Sequence, residues 1–496
     1  MKQLSSKLRF RTLPALPIDT QESGPRTVQA IFACAKPTPV KNPVLVCASQ
    51  PALDLLEIST AETDEFLEVF SGNQIIPGSV PLAHCYCGFQ FGVFAGQLGD
   101  GAAILLGTTH SGWELGLKGS GLTQFSRFAD GRKVLRSSIR EFLASEAMHA
   151  LGIPSTRSAS IIVSDDRVWR DLMYDGHAKQ ESCAVISRIA RSFIRFGSFE
   201  IARSSDPHRR GPCFEDPQVV MKLLDYVRTN YYDGCSTEDF VRQVTVRTAE
   251  LVAQWQSIGF CHGVLNTDNM SIIGDTMDYG PYAFMEQYDS SLVANTSDRG
   301  GRYAFRNQPA MCKWNCLVLA DSIEEVFGRI DGAPEISSRL TDVVNDTFAV
   351  TFENKYRELM RRKLRLRPDS DDTSADDVIA KLLRLLEDTS ADYTNTMYSL
   401  STSTLKSNEW NSFVSELIPL QQFDDMPNIN PRFILRNYLI QEAIEDAENG
   451  DYSQVKRLLK ASLDPFNPSI EPKLTTPQPP SQVCTSLSCS SLQSFV

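Results

Sequence analysis

HGVLNTDNMSIIGDTMDYG, running from His262 to Gly280, is the stretch on which the reading of this chain turns. It opens just after a strongly periodic segment, Thr237 to Ile258. There Phe240, Val244, Leu251, Val252, Trp255 and Ile258 recur at helical spacing, and Gly259 marks the stop. Two loop segments follow: Asn269 lies seven residues after His262, and Asp278 nine residues after Asn269. An amide oxygen and a carboxylate on successive loops suit Mg²⁺, a hard cation that takes few protein ligands and completes its shell with phosphate and water. Asp268, beside Asn269, is the nearest carboxylate able to accept a proton. His262, taken alone, reads as a packed structural histidine.

Upstream, GQLGDG (Gly96 to Gly101) precedes a short apolar run, Ala102 to Leu106, with strand character. Glycines let a backbone approach phosphates and present N–H donors, although turns between strands collect Gly and Asp as well. Trp113, Leu115 and Leu117 then alternate with polar or small residues, the period of a half-buried strand, and Lys118 falls on its polar phase. Glu141 follows 23 residues later, on an amphipathic helix drawn by Leu135, Ile139, Phe142, Leu143, Ala147 and Leu151. A strand lysine paired to a helix glutamate is how the protein-kinase fold aims an ammonium at ATP phosphates. That fold also carries an asparagine seven residues after a histidine, then Asp-Phe-Gly. The position of its catalytic aspartate is Val264 here, which cannot accept a proton. Arg188 and Arg195 sit among Ile186, Ile189, Phe193, Ile194 and Phe196, so an inward-facing guanidinium is expected, and a triphosphate would satisfy it bidentately.

Composition bounds the rest. The 496 residues are 42% hydrophobic and 22% charged, ordinary globular usage with room for two to four units. Lys and Arg total 49 against 61 Asp and Glu, a formal charge of −12, which argues against nucleic acid and anionic lipid as bulk partners. No apolar run is long enough to span a membrane. Twelve dispersed cysteines do not make a disulfide framework, and Cys85/Cys87 and Cys312/Cys316 read as buried or free thiols in a reducing compartment. Lys2, Lys7, Arg9 and Arg11 precede any acid, as in a mitochondrial presequence.

Several long blocks resemble the selenoprotein O family, also called the YdiU family: GQLGDG, Leu117 to Phe142, Ser187 to Glu200, HGVLNTDNMSI, MDYGP, and Asn430 to Asp451. The resemblance covers about residues 85 to 460. It implies an α+β, two-lobed protein-kinase-like fold that binds ATP in an inverted pose and transfers AMP to Ser, Thr or Tyr hydroxyls of proteins. Some bacterial members are associated with UMP transfer, and eukaryotic members are mitochondrial. It further implies that Gly99, Gly101, Asp130 and Gly131 lie at the nucleotide, and that Lys118, held by Glu141, contacts phosphate. Arg188 and Arg195 would line the phosphate pocket, Asp268 would be the proton acceptor, and Asn269 and Asp278 would hold Mg²⁺, or Mn²⁺ in its place. Asp278 would also contact the nucleotide.

Two departures stand out. The family carries an arginine after GDG where this chain has Ala102. Its C-terminal Cys-x-x-Cys or Cys-x-x-selenocysteine is replaced by Cys484 and Cys489, separated by four residues. The expected organisation is an N-terminal extension (1–85), an N-lobe (86–200), a mostly helical C-lobe (201–465) and a flexible tail (466–496). The expected protein is a monomer acting on protein substrates with exposed hydroxyls, in the mitochondrion or alternatively the cytoplasm. Ordinary γ-phosphate transfer, and a pseudokinase scaffold that only binds nucleotide, are the competing functions.

Overall fold

The alternation around Lys118 and the β-branched runs after residue 157 build one sheet. In the computed structural model this sheet uses β1 (Ile18–Asp19), β2 (Phe32–Cys34), β3 (Val44–Ala48) and β4 (Leu82–His84). A separate hairpin of β5 (Phe89–Gln90) and β6 (Val93–Phe94) follows. The sheet resumes with β7 (Ala103–Thr108), β8 (Glu114–Lys118), β9 (Lys133–Val134), β10 (Arg157–Arg170) and β11 (Lys179–Ala190). Its order is β1-β2-β4-β7-β8-β11-β10-β3, with β9 also pairing β11. Only β1 and β2 run parallel among these pairs. The structure describes Leu8 and residues 15–478, except 23, 62, 172–175, 207–208, 332–338, 368–371, 406 and 423–428.

Two sequence expectations change here. The N-terminal extension, expected over residues 1–85, is not a separate layer: its described part supplies four strands to the same sheet as Lys118. The strand carrying Lys118 is central and buried on both faces rather than half-buried, so its other polar residue, Glu114, is enclosed. Burial pushes the Glu114 carboxyl up to about 8, opposed by the hydrogen bond it accepts from Phe193 N at 2.8 Å.

The Leu135–Ala150 helix packs its apolar stripe on β10 and β11. Two C-terminal helices, Asn437–Glu448 and Ser453–Leu463, cover its other side. Arg140 joins the layers: it donates to Tyr282 O at 2.9 Å and Asn437 Oδ1 at 3.4 Å. The Thr237–Ile258 helix starts where Ser236 Oγ accepts from Asp239 N and stops at Gly259, whose φ of +70° is the left-handed cap that glycine adopts cheaply. It packs against helices Gln308–Phe327 and Leu340–Lys363. The whole is a mixed α+β architecture. Among the described residues no helix is long and apolar enough to cross a membrane. Cys85, Cys87, Cys312 and Cys316 are buried free thiols, as their spacing suggested. Residues up to Thr476 dock on the body, with Thr475 O accepting from Asn395 Nδ2 at 2.9 Å. Cys484, Cys489, Lys2, Lys7, Arg9 and Arg11 lie outside the described residues.

Candidate functional site

Strand register brings the first cations together. Lys118 pairs with Ile186 and Arg188 with Gly116 across β8 and β11, so Lys118 and Arg188 project from the same face as diagonal neighbours. Gly116 opposite Arg188 adds no side chain to crowd it. Lys118 Nζ lies 2.7 Å from Glu141 Oε2 and 3.2 Å from Asp278 Oδ1. Arg188 repeats the pattern, with Nε 3.3 Å from Glu141 Oε1 and Nη2 3.2 Å from Asp278 Oδ1. The lysine–glutamate pair read from spacing is therefore formed, and Arg188 is inward.

Arg195 arrives by a different route. Residues 194–196 run beside 270–272, joined by Phe196 N to Met270 O at 2.9 Å and Ile272 N to Ile194 O at 3.1 Å. This sets Arg195 Nη1 2.7 Å from Asp278 Oδ2 and 2.7 Å from the Asp268 carbonyl oxygen. Its guanidinium stacks on Tyr86, 4.3 Å from the ring centroid, and Nη2 lies 3.8 Å from Asp100 Oδ1. Asp100 and Tyr86 were not singled out from sequence. Asp100 lies inside the Gly96 to Gly101 stretch, where the glycines alone carry a sequence signal.

Three cations thus converge on Asp278. Burial alone would raise its pKa, but Arg188, Lys118 and Arg195 hold the carboxyl well below the usual range. Its backbone φ of +57° is unusual for a non-glycine residue, a strain consistent with an imposed position.

The His262–Asn269 loop is pinned by amides. His262 N donates to Gln308 Oε1 at 2.8 Å, Asn315 Nδ2 to Leu265 O at 3.0 Å, and Asn295 Nδ2 to Gly263 O at 3.2 Å. His262 is buried against Trp255 and its Nε2 contacts Met277 O at 3.0 Å. Burial pulls its pKa down, and it packs as a structural residue. Asn269 uses Nδ2 on Val264 O at 2.9 Å, which leaves its amide oxygen for another partner. Asp268 is buried; Gln90 Nε2 donates to Oδ2 at 3.3 Å, while Oδ1 has no hydrogen-bond partner. Burial, opposed by Arg195, pushes this carboxyl up to about 6. A carboxylate and an amide oxygen in this pocket are hard donors that fit Mg²⁺, with phosphate oxygens and water completing the shell.

The glycines have a local reason to be glycines. Gly99, with φ +80°, would place a Cβ 2.2 Å from the Phe125 ring, and a Cβ on Gly101 would meet Phe125 O at 2.9 Å. Thr123 Oγ1 and Ser126 Oγ donate to Asp100 O and Gly101 O, both at 2.6 Å, strapping the two loops together. Gly131 meets Gly121 in the same way, and Asp130 is held by Arg170 at 2.7 and 2.8 Å. Against the pull of burial, Arg170 brings the Asp130 carboxyl below its ordinary value.

A family model described as protein adenylyltransferase SelO matches residues 21–423. The mitochondrial protein adenylyltransferase SelO of Mus musculus is 40% identical, across 93% of this chain and 87% of the relative. Its counterpart in Homo sapiens is 47% identical across 79% of this chain and 62% of the relative. A bacterial relative, the protein nucleotidyltransferase YdiU of Aromatoleum aromaticum, is 40% identical across 94% of each chain.

Proposed function

The chain belongs to the protein adenylyltransferase SelO family, and on that footing we infer that it moves AMP from ATP onto hydroxyl groups of protein side chains and releases pyrophosphate. The observation that carries the reading is the convergence of Lys118, Arg188 and Arg195 on one carboxylate, opposite a loop whose kinase-base position is Val264. Buried guanidiniums demand anions. If the outer phosphates of ATP take these cations, the α-phosphate is left toward the acceptor.

In this reading the fold is kinase-like and two-lobed, with residues 86–200 as the first lobe and 201–465 as the second. The N-terminal extension joins the first lobe's sheet through its strands between Ile18 and His84, and the tail that begins at 466 is docked on the body as far as Thr476. Glu141 keeps Lys118 and Arg188 aimed. Gly99, Gly101, Asp130 and Gly131 shape the paired loops against the nucleotide. Asp268 accepts the proton as the acceptor oxygen bonds to the α-phosphorus and the bond to pyrophosphate breaks. Asn269 and Asp278 hold Mg²⁺, which supplies charge stabilisation at the phosphates. We place the protein in the mitochondrion, on the basic N-terminal segment and the names of its animal relatives; the bacterial relatives keep the cytoplasm as the alternative.

The test is the fate of the label. With ATP labelled at the α-phosphate a general protein acceptor becomes labelled, with γ-labelled ATP it does not, and pyrophosphate rises in step. Intact mass adds about 329 Da for AMP against about 80 Da for phosphate. Arg188→Ala and Arg195→Ala each suppress α-labelling, partly through weaker ATP binding. Labelling from γ-ATP alone restores a kinase; labelling from neither, with ATP bound, leaves a scaffold.

A further inference from the structure

The β5–β6 hairpin roofs the Asp268 loop. Gln90 reaches Asp268 from β5, and Phe91 N at the turn donates to Tyr303 Oη at 2.8 Å and to Asn266 Oδ1 at 3.3 Å. The backbone of Gly88, just before the hairpin, is so close to Asp268 that a Cβ would come 2.5 Å from its Oδ1. Val93, paired with Gln90 and on the same face of the hairpin, is 56% exposed, and Phe91 at the turn is 42% exposed.

Against its tip lies Arg302. The guanidinium rests flat on Gly92, where a Cβ would stand 3.1 Å from Cζ, and over Trp314 at 4.8 Å from the ring centroid. Tyr303, next in the chain, links it to the site: its ring is 5.3 Å from Phe91, and its hydroxyl donates to Asn266. Arg302 has no carboxylate within ion-pair distance among the described residues, and its Nε is buried without a hydrogen-bond partner. The neighbouring carboxylate, Asp298, is spent on the backbone N–H groups of Arg302 and Tyr303 at 3.0 and 2.7 Å. Arg299 and Arg306, on the same segment, are exposed and likewise have no ion-pair partner among the described residues. Three uncompensated arginines beside one loop stand out on a chain of net charge −12. A half-buried, stacked guanidinium retains planar donors that match a carboxylate.

We propose that Arg302, supported by Arg299 and Arg306, reads an acidic side chain flanking the acceptor hydroxyl, so that the β5–β6 hairpin and residues 299–306 form the docking surface for an acidic segment of the substrate protein. This rests on the adenylyltransferase reading above, because Asp268 defines where the hydroxyl enters. Charge complementarity selects the acidic segment, and Phe91 and Val93 supply the apolar part of the contact.

The experiment uses the full chain with Mg²⁺-ATP and two peptide sets that differ only in glutamate or glutamine around a single acceptor hydroxyl. AMP incorporation is followed by mass, and peptide binding by fluorescence anisotropy without ATP. The wild type favours the glutamate peptides by about tenfold in kcat/KM, mainly through KM. Arg302→Lys keeps part of that preference. Arg302→Ala erases it while leaving the glutamine peptides nearly unchanged, and Arg302→Glu shifts it toward lysine-flanked peptides. No preference in the wild type overturns the proposal, as does an equal loss on both sets in a folded Arg302→Ala protein, the signature of packing alone. If no peptide gains AMP, the adenylyltransferase reading has failed. Anisotropy then still decides, since a glutamate preference that disappears in Arg302→Ala supports the docking surface and its absence refutes it.

Discussion

Replacing Asp268 with asparagine should abolish transfer and at the same time stabilise the fold. The carboxyl is buried, has one oxygen without a partner, and is pushed up to about 6 from its ordinary 3.8. The folded chain therefore binds this proton more tightly than the unfolded chain. Stability from the group is fully present below the unfolded value of 3.8 and is lost as pH rises through about 6. Titration near 6 in place of 3.8 means that the ionised group destabilises the folded state by about 3 kcal/mol at neutral pH. Asparagine removes that charge and can still accept from Gln90. Its new N–H₂ group beside Gly88 lacks an acceptor, which returns about 1 kcal/mol. The net expectation is a gain of about 2 kcal/mol near pH 8 that turns into a loss of up to about 1 kcal/mol near pH 4, where only the unpaired N–H₂ cost remains. Urea unfolding of both proteins at the two pH values, with EDTA present to exclude metal, measures it. A variant no more stable than wild type at the higher pH refutes the reasoning, and so does a difference that persists unchanged at the lower.

Asp278→Ala should lower α-phosphate transfer by at least about 100-fold, since Mg²⁺ is left with an amide and phosphates; near wild-type labelling by a folded variant shows the metal assignment to be wrong. Ala102→Arg should tighten ATP binding by about 1–3 kcal/mol through one charge-assisted contact, read by calorimetry; unchanged affinity means the glycine loop does not face the phosphates as inferred. Arg436, fully buried between Glu286 and Asp392, fastens the C-terminal region to the body. Arg436→Ala leaves two enclosed carboxylates without their cation and should cost about 3–5 kcal/mol in denaturant unfolding. A loss below about 1 kcal/mol would mean the two acids find other partners.

How much of this was readable depended on the range of the interaction. The Leu135–Ala150 and Thr237–Ile258 helices were legible because periodicity and caps are local, and the second ends at the glycine that the pattern marked. Lys118 and Glu141 were legible because a strand followed by a helix places that pair with few alternatives. Asp100 and Tyr86 were not, since their partner Arg195 is about a hundred residues away and nothing near either residue announces it. The enclosure of Glu114 was illegible for the same reason. Alternation says which residues share a face, and only the neighbours of β8 decide whether the second face is covered too. The glycines were read for approach to phosphate, yet Phe125, the immediate reason for Gly99 and Gly101, belongs to another loop, and Gly121, which Gly131 meets, lies ten residues back in Gly131's own loop.

The charge balance around Asp278 connects structure to chemistry. Without nucleotide, Lys118, Arg188 and Arg195 are balanced by Glu141, Asp278 and the more distant Asp100. Such a cluster is neutral enough to be enclosed: Lys118 and Arg195 spend donors on protein acids, while Arg188 sits within ion-pair distance of Glu141 and Asp278 with its Nε and Nη2 lacking a hydrogen-bond partner. A triphosphate carries more negative charge than Asp278 alone, so it can take these donors and leave the carboxylate oxygens to a metal. Glu141 has no such exchange available, because it lies on the helix held by β10, β11 and two C-terminal helices. It keeps Lys118 and Arg188 in place while Asp278 changes partners. Binding of nucleotide and metal is then mutually reinforcing: phosphates without metal leave Asp278 beside new negative charge, and metal without phosphates must compete with three cations. ATP affinity should accordingly rise with Mg²⁺ in the wild type and lose most of that dependence in Asp278→Asn. Calorimetry with and without Mg²⁺ separates the two, and a metal dependence equal in both proteins would break the link between Asp278 and the bound ion.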